Sequence, residues 1–274
     1  MTDRYAVFGN PVAHSKSPAI HGAFAAQTRQ PISYEAVLAP LDGFAAAVQA
    51  FAAAGGRGAN VTVPFKEEAH RLATRLSPRA VRAGAVNTLS FSDEGIAGDN
   101  TDGAGLVTDI EQNLGLPLAG RRVLLLGAGG AARGVAGPLL DAGIASLTVA
   151  NRNAARAHEL VRLFVHHGNI AGCGLGEIAG PFDLVVNATS ASLAGDAIML
   201  PATAFAPDAL AYDMMYGRGT TPFLAEARRQ GAGRLADGLG MLVEQAAEAF
   251  LLWRGIRPET APVLAALRTQ LAAR

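Results

Sequence analysis

Val123-Leu124-Leu125-Leu126-Gly127-Ala128-Gly129-Gly130-Ala131-Ala132 is the stretch on which the fold turns. Four consecutive apolar residues suit a strand covered on both faces, as in the middle of a parallel sheet. The glycines that follow permit a tight turn, and the helix they open, 130–142, presents free N–H groups and a partial positive charge to a phosphate. Strand, turn and helix together satisfy the G-x-G-x-x-A fingerprint of a dinucleotide site in the context it requires. Downstream, 146–150, 183–187 and 210–214 read as further buried strands. Segments 153–166 and 222–230 read as the crossovers between them, which makes this region a doubly wound unit.

The end of the second strand of that unit indicates which dinucleotide fits. An Asp or Glu there would hydrogen-bond a ribose 2′-hydroxyl. Asn151-Arg152-Asn153 stands in its place, with Arg156 one turn on. Guanidinium groups suit a 2′-phosphate through charge-assisted, often bidentate hydrogen bonds, so the expected cofactor is NADP rather than NAD. An ordinary solvated charge is the alternative reading of Arg152.

Upstream, the first hundred residues alternate short strand-like runs (5–9, 33–38, 58–61 and 86–90) with Ala-rich helical segments, so an α/β layer with parallel strands is expected. Ser17-Pro18 reads as N-cap and first-turn proline of a helix to about residue 27, and 41–54 reads as another, closed by Gly55-Gly56. Thr101 or Asp99 is expected to cap a helix running to about residue 114, where Gly115-Leu116-Pro117 stops it and marks a boundary. The tail, 240–253 and 262–273, is helical by periodicity and adds no strand.

Composition narrows the function classes. In 274 residues half are apolar and 17% charged, and 23 basic side chains balance 23 acidic ones. That excludes a disordered polyampholyte and leaves no electrostatic footprint for nucleic acid. The single Cys173 excludes an internal disulfide framework and a Cys-based zinc site, and fits a reducing cytoplasm. No signal peptide or uncharged apolar run of membrane-spanning length is expected, which leaves small molecules as partners. The basic residues are unevenly chosen: all are arginine except Lys16 and Lys66. Guanidinium cannot lose its proton in a protein, whereas an ammonium can, so a retained lysine is either a chance survivor or a required amine. Lys66, just after the apolar run 61–65, is the candidate.

A carboxylate partner is offered by GDNTDG at 98–103, where Asp102 is either a catalytic group or a helix-start charge stabilised by the macrodipole. Its two carboxylates do not make a calcium loop, because the twelfth position is Ile110 instead of Glu. HExxH, phosphate-loop and G-x-S-x-G motifs do not occur, so metal-dependent hydrolysis, NTPase and α/β-hydrolase chemistries are not expected. His166-His167 reads as a solvated helix end.

Eight stretches in order make the chain resemble the shikimate dehydrogenase family over essentially its whole length: GNPVAHSKSP (9–18), GANVTVPFKE (58–67), GAVNT (84–88), GDNTDG (98–103), GAGGAAR (127–133), NATS (187–190), YDMMY (212–216) and ADGLGMLVEQA (236–246). The resemblance implies two α/β domains. Residues 1–104 and 238–274 would form a discontinuous substrate-binding domain, and 105–237 an inserted Rossmann-like NADP-binding domain. It implies Lys66 and Asp102 as the catalytic pair, with Ser15 and Ser17 on the substrate carboxylate. Thr62, Asn87, Tyr216 and Gln245 match other substrate contacts, while Asn60 lies beside them with no assigned role. On the cofactor side, Gly127, Ala128, Gly129, Gly130 and Ala131 match the phosphate turn. Asn151, Arg152, Asn153 and Arg156 match the 2′-phosphate pocket, and Met214 and Gly238 the nicotinamide end. No metal is implied.

The implied reaction is reversible hydride transfer between shikimate and NADP, in the cytoplasm, by a monomer or homodimer. Two departures stand out: Asn153 replaces a threonine common beside the 2′-phosphate, and Ala191-Ser192-Leu193 replaces a glycine-containing turn after NATS. Rival readings are a quinate/shikimate dehydrogenase with relaxed NAD use and a non-catalytic redox sensor that keeps the dinucleotide fold.

Overall fold

The computed structural model describes residues 2–189 and 198–273, arranged around two six-stranded sheets. Ser190 and the Ala191-Ser192-Leu193 departure lie outside the described residues. The first half runs β1 (Asp3–Gly9), α1 (Ser17–Thr28), β2 (Ile32–Leu38), α2 (Phe44–Ala53), β3 (Gly56–Val61), α3 (Lys66–Leu72), β4 (Arg75–Leu76), α4 (Pro78–Ala83), β5 (Thr88–Ser92), β6 (Gly95–Asp99) and α5 (Asp102–Thr108), which continues as a π-turn over Asp109–Asn113. The second half runs β7 (Arg122–Leu126), α6 (Gly130–Asp141), β8 (Ser146–Asn151), α7 (Ala154–Phe164), β9 (Ile170–Gly174), β10 (Phe182–Asn187), β11 (Phe205–Asp213), α8 (Pro222–Arg229), β12 (Arg234–Asp237), α9 (Leu239–Arg254) and α10 (Ala261–Ala272).

The second sheet has the order β12-β11-β10-β7-β8-β9, all parallel. Val123 to Leu126 are fully buried in its centre, and alternate residues serve opposite faces. Val123 and Leu125 enter one apolar cluster, Leu124 and Leu126 another. Two strands, β9 and β12, go beyond the sequence reading, because IAGCG and RLAD are too short and too weakly apolar to announce a strand.

The first sheet, β2-β1-β3-β5-β6-β4, corrects the expectation of parallel strands throughout. β5 runs antiparallel to both β3 and β6. The physical reason is a tight hairpin: β5 and β6 are joined through Asp93-Glu94, with Gly95 at φ +112°, a conformation that a side chain disfavours. The reversal matters for the site. Because β5 is reversed, its first residue lies opposite the last residue of β6 (Thr88 against Asp99) at the end of the sheet where β1 and β3 finish.

Two caps differ from expectation. Ser17 is the first helical residue of α1 and not its cap, and its N–H donates to Ser15 Oγ at 3.3 Å. Thr101 occupies the cap position of α5 without capping it, since its hydroxyl is engaged by Asn87 and Gln245. The Asp102 N–H is met instead by Asn100 Oδ1 at 3.2 Å, and Asp99 turns to Arg79. A further apolar cluster packs α1, α9 and α10 together through Ile20, Phe24, Val243, Phe250 and Leu267. No described helix is long and apolar enough to cross a membrane.

Candidate active site

Lys66 is the first residue of α3, on a turn anchored by the buried Phe65, whose ring stacks on Phe44 at 4.7 Å. Backbone bonds tie this turn to the neighbouring strands: Val86 N–H donates to Lys66 O at 2.8 Å, Asn87 N–H to Asp99 O at 3.0 Å, and Val61 N–H to Asn87 O at 2.8 Å. These three bonds draw residues around 61, 66, 87 and 99 to one end of the sheet. The side chains then meet. Lys66 Nζ donates to Asp102 Oδ2 at 2.5 Å, with side-chain exposures of only 15% and 7%.

Asn87 organises the other side of the carboxylate. Its Nδ2 donates to Asp102 Oδ1 at 2.8 Å and lies within 2.9 Å of Thr101 Oγ1 and 3.3 Å of Gln245 Oε1, while its Oδ1 accepts from Thr101 N–H at 2.8 Å and from Thr88 Oγ1 at 2.8 Å. A buried amide with both ends satisfied cannot flip without orphaning polar groups, so the orientation of Asp102 is fixed. Asn60 supports the same cluster by donating to Asn87 O at 3.2 Å and Thr88 Oγ1 at 3.1 Å.

The glycine turn lies directly against this cluster. A methyl at Gly130 would sit 3.6 Å from Lys66 Cβ, and one at Gly134 would be 3.3 Å from Asp102 Oδ2. Gly103 and α6 are closer still, since a methyl at Gly103 would be 2.6 Å from Gly134 O. The start of α6 and the amine–carboxylate pair therefore lie against each other. Gly127 has φ +105°, and among the described residues no atom lies within 4 Å of a methyl placed at Gly129, so none of them blocks the backbone from a pyrophosphate.

Where β8 gives way to α7, Asn151, Arg152, Asn153 and Arg156 line an open pocket of about 330 Å³. Asn151 Nδ2 donates to Asn153 O and Asn153 Oδ1 accepts from Ala155 N–H, shaping the turn before α7. Among the described residues neither arginine is paired with a carboxylate. An uncompensated guanidinium pair in a pocket has the donor chemistry of a phosphate site. Met214 is buried just past the end of β11, and Gly238 approaches it so closely that a methyl there would lie 2.2 Å from Met214 O.

Of the remaining expected residues, Gln245 is the one that the hydrogen bonds of the described residues join to the cluster around the pair. Thr62 follows β3 and fills the space above Gly9, where a methyl would lie 2.4 Å from Thr62 Cγ2. Ser15 and Ser17 sit at the start of α1, with Ser17 buried. Gln245 enters the cluster through Asn87 and Thr101. Tyr216 packs against the α1–α9 cluster, where burial raises its phenol above the ordinary 10.0, and no hydrogen bond of the described residues links it to Lys66 or Asp102. Sequence reasoning misses Asn100, Thr88 and Thr101 as supports of the site. All three lie inside quoted motifs, which is the signal that could have found them.

Comparison with known proteins bears on this geometry. Residues 7–89 match the family described as shikimate dehydrogenase substrate binding domain, 109–195 match shikimate / quinate 5-dehydrogenase, and 238–268 match shikimate 5'-dehydrogenase C-terminal domain. The chain is 65% identical over 274 residues to shikimate dehydrogenase (NADP(+)) of Dechloromonas aromatica, covering 100% of both chains. It is 64% identical over 273 residues to the protein of the same name from Aromatoleum aromaticum, covering 98% of each. The crystal structure of shikimate 5-dehydrogenase from Thermus thermophilus in complex with NADP(H) and shikimate superposes with a TM-score of 0.86 at 37% identity, covering 98% of this chain and 99% of that one.

Proposed function

Because the chain belongs to the shikimate dehydrogenase family, we propose that its amine–carboxylate pair carries the family's reaction, the reversible NADP-dependent interconversion of 3-dehydroshikimate and shikimate. One observation supports this assignment above the others: Lys66 and Asp102 are bonded to each other and lie against the first turn of the dinucleotide helix. A redox sensor without turnover has no use for that juxtaposition.

The reading divides the chain into a substrate-binding part, 1–104 with 238–274, and an NADP-binding part, 105–237. In it, Gly127 to Ala131 hold the pyrophosphate, and Asn151, Arg152, Asn153 and Arg156 hold the 2′-phosphate. Met214 and Gly238 form the wall at the nicotinamide. When bound, NADP supplies the carbon that accepts hydride from C3 of shikimate. Ser15 and Ser17 take the substrate carboxylate, and Thr62, Asn87, Tyr216 and Gln245 bind the rest of the ring.

During oxidation the C3 hydroxyl must lose its proton as the C–H electron pair leaves with its hydrogen, and Lys66 Nζ receives that proton. In the reverse direction the Lys66 ammonium polarises the ketone and returns the proton to its oxygen. Proton transfer by a positioned side chain contributes about 10²- to 10⁴-fold. Asp102 holds the amine in place through Oδ2, while Asn87 fixes Oδ1. The reading includes a cytoplasmic monomer or homodimer, for which the lone Cys173 and sedimentation are respectively the support and the test.

Initial rates of nicotinamide reduction with shikimate and with quinate, each with NADP and with NAD, test the assignment. Shikimate with NADP should be the fastest pair: NAD should be slower by at least about tenfold, since a lost charge-assisted contact to the 2′-phosphate is worth about that much, and quinate slower because its extra ring hydroxyl has to be accommodated. Equal rates with quinate or NAD would favour the relaxed quinate/shikimate reading, and no turnover with any pair would reject the reaction.

A further inference from the structure

Tyr34 belongs to no motif, and the reaction as written does not use it. It lies on β2, the edge strand of the first sheet, two strands away from β3. Its phenol nevertheless reaches β3: the O–H donates to Asn60 Oδ1 at 2.7 Å. The ring is held flat against the fully buried His21, with centroids 4.2 Å apart and planes 6° from parallel. Trp253 closes the same face, 6.4 Å from Tyr34 and 5.4 Å from His21. Gly58 makes room for Trp253, since a methyl there would be 2.6 Å from Trp253 Nε1.

That single hydrogen bond has a directional consequence. An amide that accepts at Oδ1 from Tyr34 must turn Nδ2 the other way, toward Asn87 O and Thr88 Oγ1. Thr88 Oγ1 then donates to Asn87 Oδ1, and Asn87 Nδ2 is left to donate to Asp102 Oδ1. Burial pushes the proton affinity of this phenol strongly up, with the Ser17 hydroxyl opposing. Tyr34 thus joins β2 to the amide cluster beside Asp102.

Resting on the assignment above, we infer that Tyr34 is a positioning residue for the substrate: its hydroxyl sets the orientation of the Asn60 amide, and through Asn60 the alignment of Asn87 with the ring hydroxyls. It touches no reacting atom. Its contribution is to ground-state and transition-state binding alike, so it should act on KM for shikimate more than on kcat.

Tyr34→Phe removes the hydroxyl and leaves the stacked ring. Leaving a buried acceptor unmet corresponds to a loss of about fivefold to 100-fold. KM for shikimate is expected to rise within that range, with kcat changed less than about threefold and KM for NADP unchanged by the same reasoning. If Tyr34 acts through Asn60, Tyr34→Phe added to Asn60→Ala should raise KM no further than Asn60→Ala alone. A purely structural role would lower thermal stability and leave the shikimate and NADP constants in their wild-type ratio, which would overturn the inference, as would additive losses in the double variant. Should Tyr34→Phe not fold, Asn60→Ala breaks the same relay and must reproduce the selective rise in KM for shikimate. Wild-type protein that does not turn over shikimate counts against the reaction itself, whereas wild-type turnover with an unaltered Tyr34→Phe KM counts against Tyr34 alone.

Discussion

Lys66 and Asp102, 36 positions apart in the chain, are joined by a 2.5 Å bond from Nζ to Oδ2, and the other carboxylate oxygen is held by Asn87. An amine so placed is restrained before any substrate arrives, which removes part of the entropic cost of aligning it with the carbinol proton. Lys66→Ala should therefore lower kcat by about 10²- to 10⁴-fold while KM for shikimate moves only a few-fold. Asp102→Asn should lower kcat and raise KM together, because it loosens the amine and disturbs the Asn87 amide that faces the ring. Steady-state kinetics separate the two outcomes, and a Lys66→Ala enzyme of normal turnover would remove the amine from the mechanism.

Arg152 tests the cofactor half independently. It is exposed, without a carboxylate partner among the described residues, and lines the pocket with Asn151, Asn153 and Arg156. A charge-assisted hydrogen bond is worth about 1.5 to 3 kcal/mol, so Arg152→Ala should raise KM for NADP by about 10- to 100-fold. KM for NAD, which lacks the 2′-phosphate, should stay within about twofold on the same ground. Equal loss with both dinucleotides would show that Arg152 shapes the loop instead of binding the phosphate.

The parts of this architecture legible in the sequence are those in which local pattern and burial coincide. Val123 to Leu126 are apolar at every position because both faces of β7 are covered, and the glycine turn follows because α6 must start beside it. The reversal of β5 is not legible, since parallel and antiparallel strands share the same apolar periodicity and only the Gly95 hairpin distinguishes them. Thr101 reads as a helix cap because local rules cannot weigh Gln245, 144 residues away, as a competitor for its hydroxyl. Tyr34 is invisible for a related reason: an isolated aromatic on an edge strand has no spacing to reveal a partner on β3.

Two glycines of the cofactor half should both lose NADP affinity on gaining a methyl, but only one of them should lose stability. At Gly238 the methyl would lie 2.2 Å from Met214 O and 2.6 Å from Met214 C, both backbone atoms that cannot swing aside. Gly238→Ala should cost about 1 to 3 kcal/mol of stability, as overpacking does, and weaken NADP binding by moving Met214. At Gly129 the backbone is extended (φ −89°, ψ −171°) and no atom of the described residues lies within 4 Å, so alanine meets none of them. Gly129→Ala should change stability by less than about 0.5 kcal/mol, the usual range for a change that disturbs no contact, yet raise KM for NADP because the methyl occupies the approach of the pyrophosphate. Urea unfolding paired with cofactor titration reads both effects, and a stable Gly129→Ala protein with wild-type affinity would place the dinucleotide elsewhere.

His21 makes stability, as distinct from catalysis, depend on pH. Burial between Tyr34, Phe24 and Phe250 pushes its imidazole from the ordinary 6.5 down to about 3, against a smaller opposing effect of the Asn60 amide. Among the described residues neither ring nitrogen has a partner at hydrogen-bonding geometry, so a proton there would be a buried uncompensated charge. The sign follows from which state binds the proton first. Below pH 6.5 the unfolded chain protonates His21 while the folded chain does not, so the stabilisation is complete above 6.5 and lost as pH falls toward 3. The loss should approach about 1.4 kcal/mol per pH unit across that window. His21→Phe, which keeps an aromatic plane for Tyr34 to stack on, removes the titration. Urea unfolding at about pH 7.5 and about pH 4.5 should show wild type losing roughly 3 kcal/mol more than the variant on acidification. Parallel losses in the two proteins would mean that His21 already carries its proton in the folded state, or that solvent reaches it.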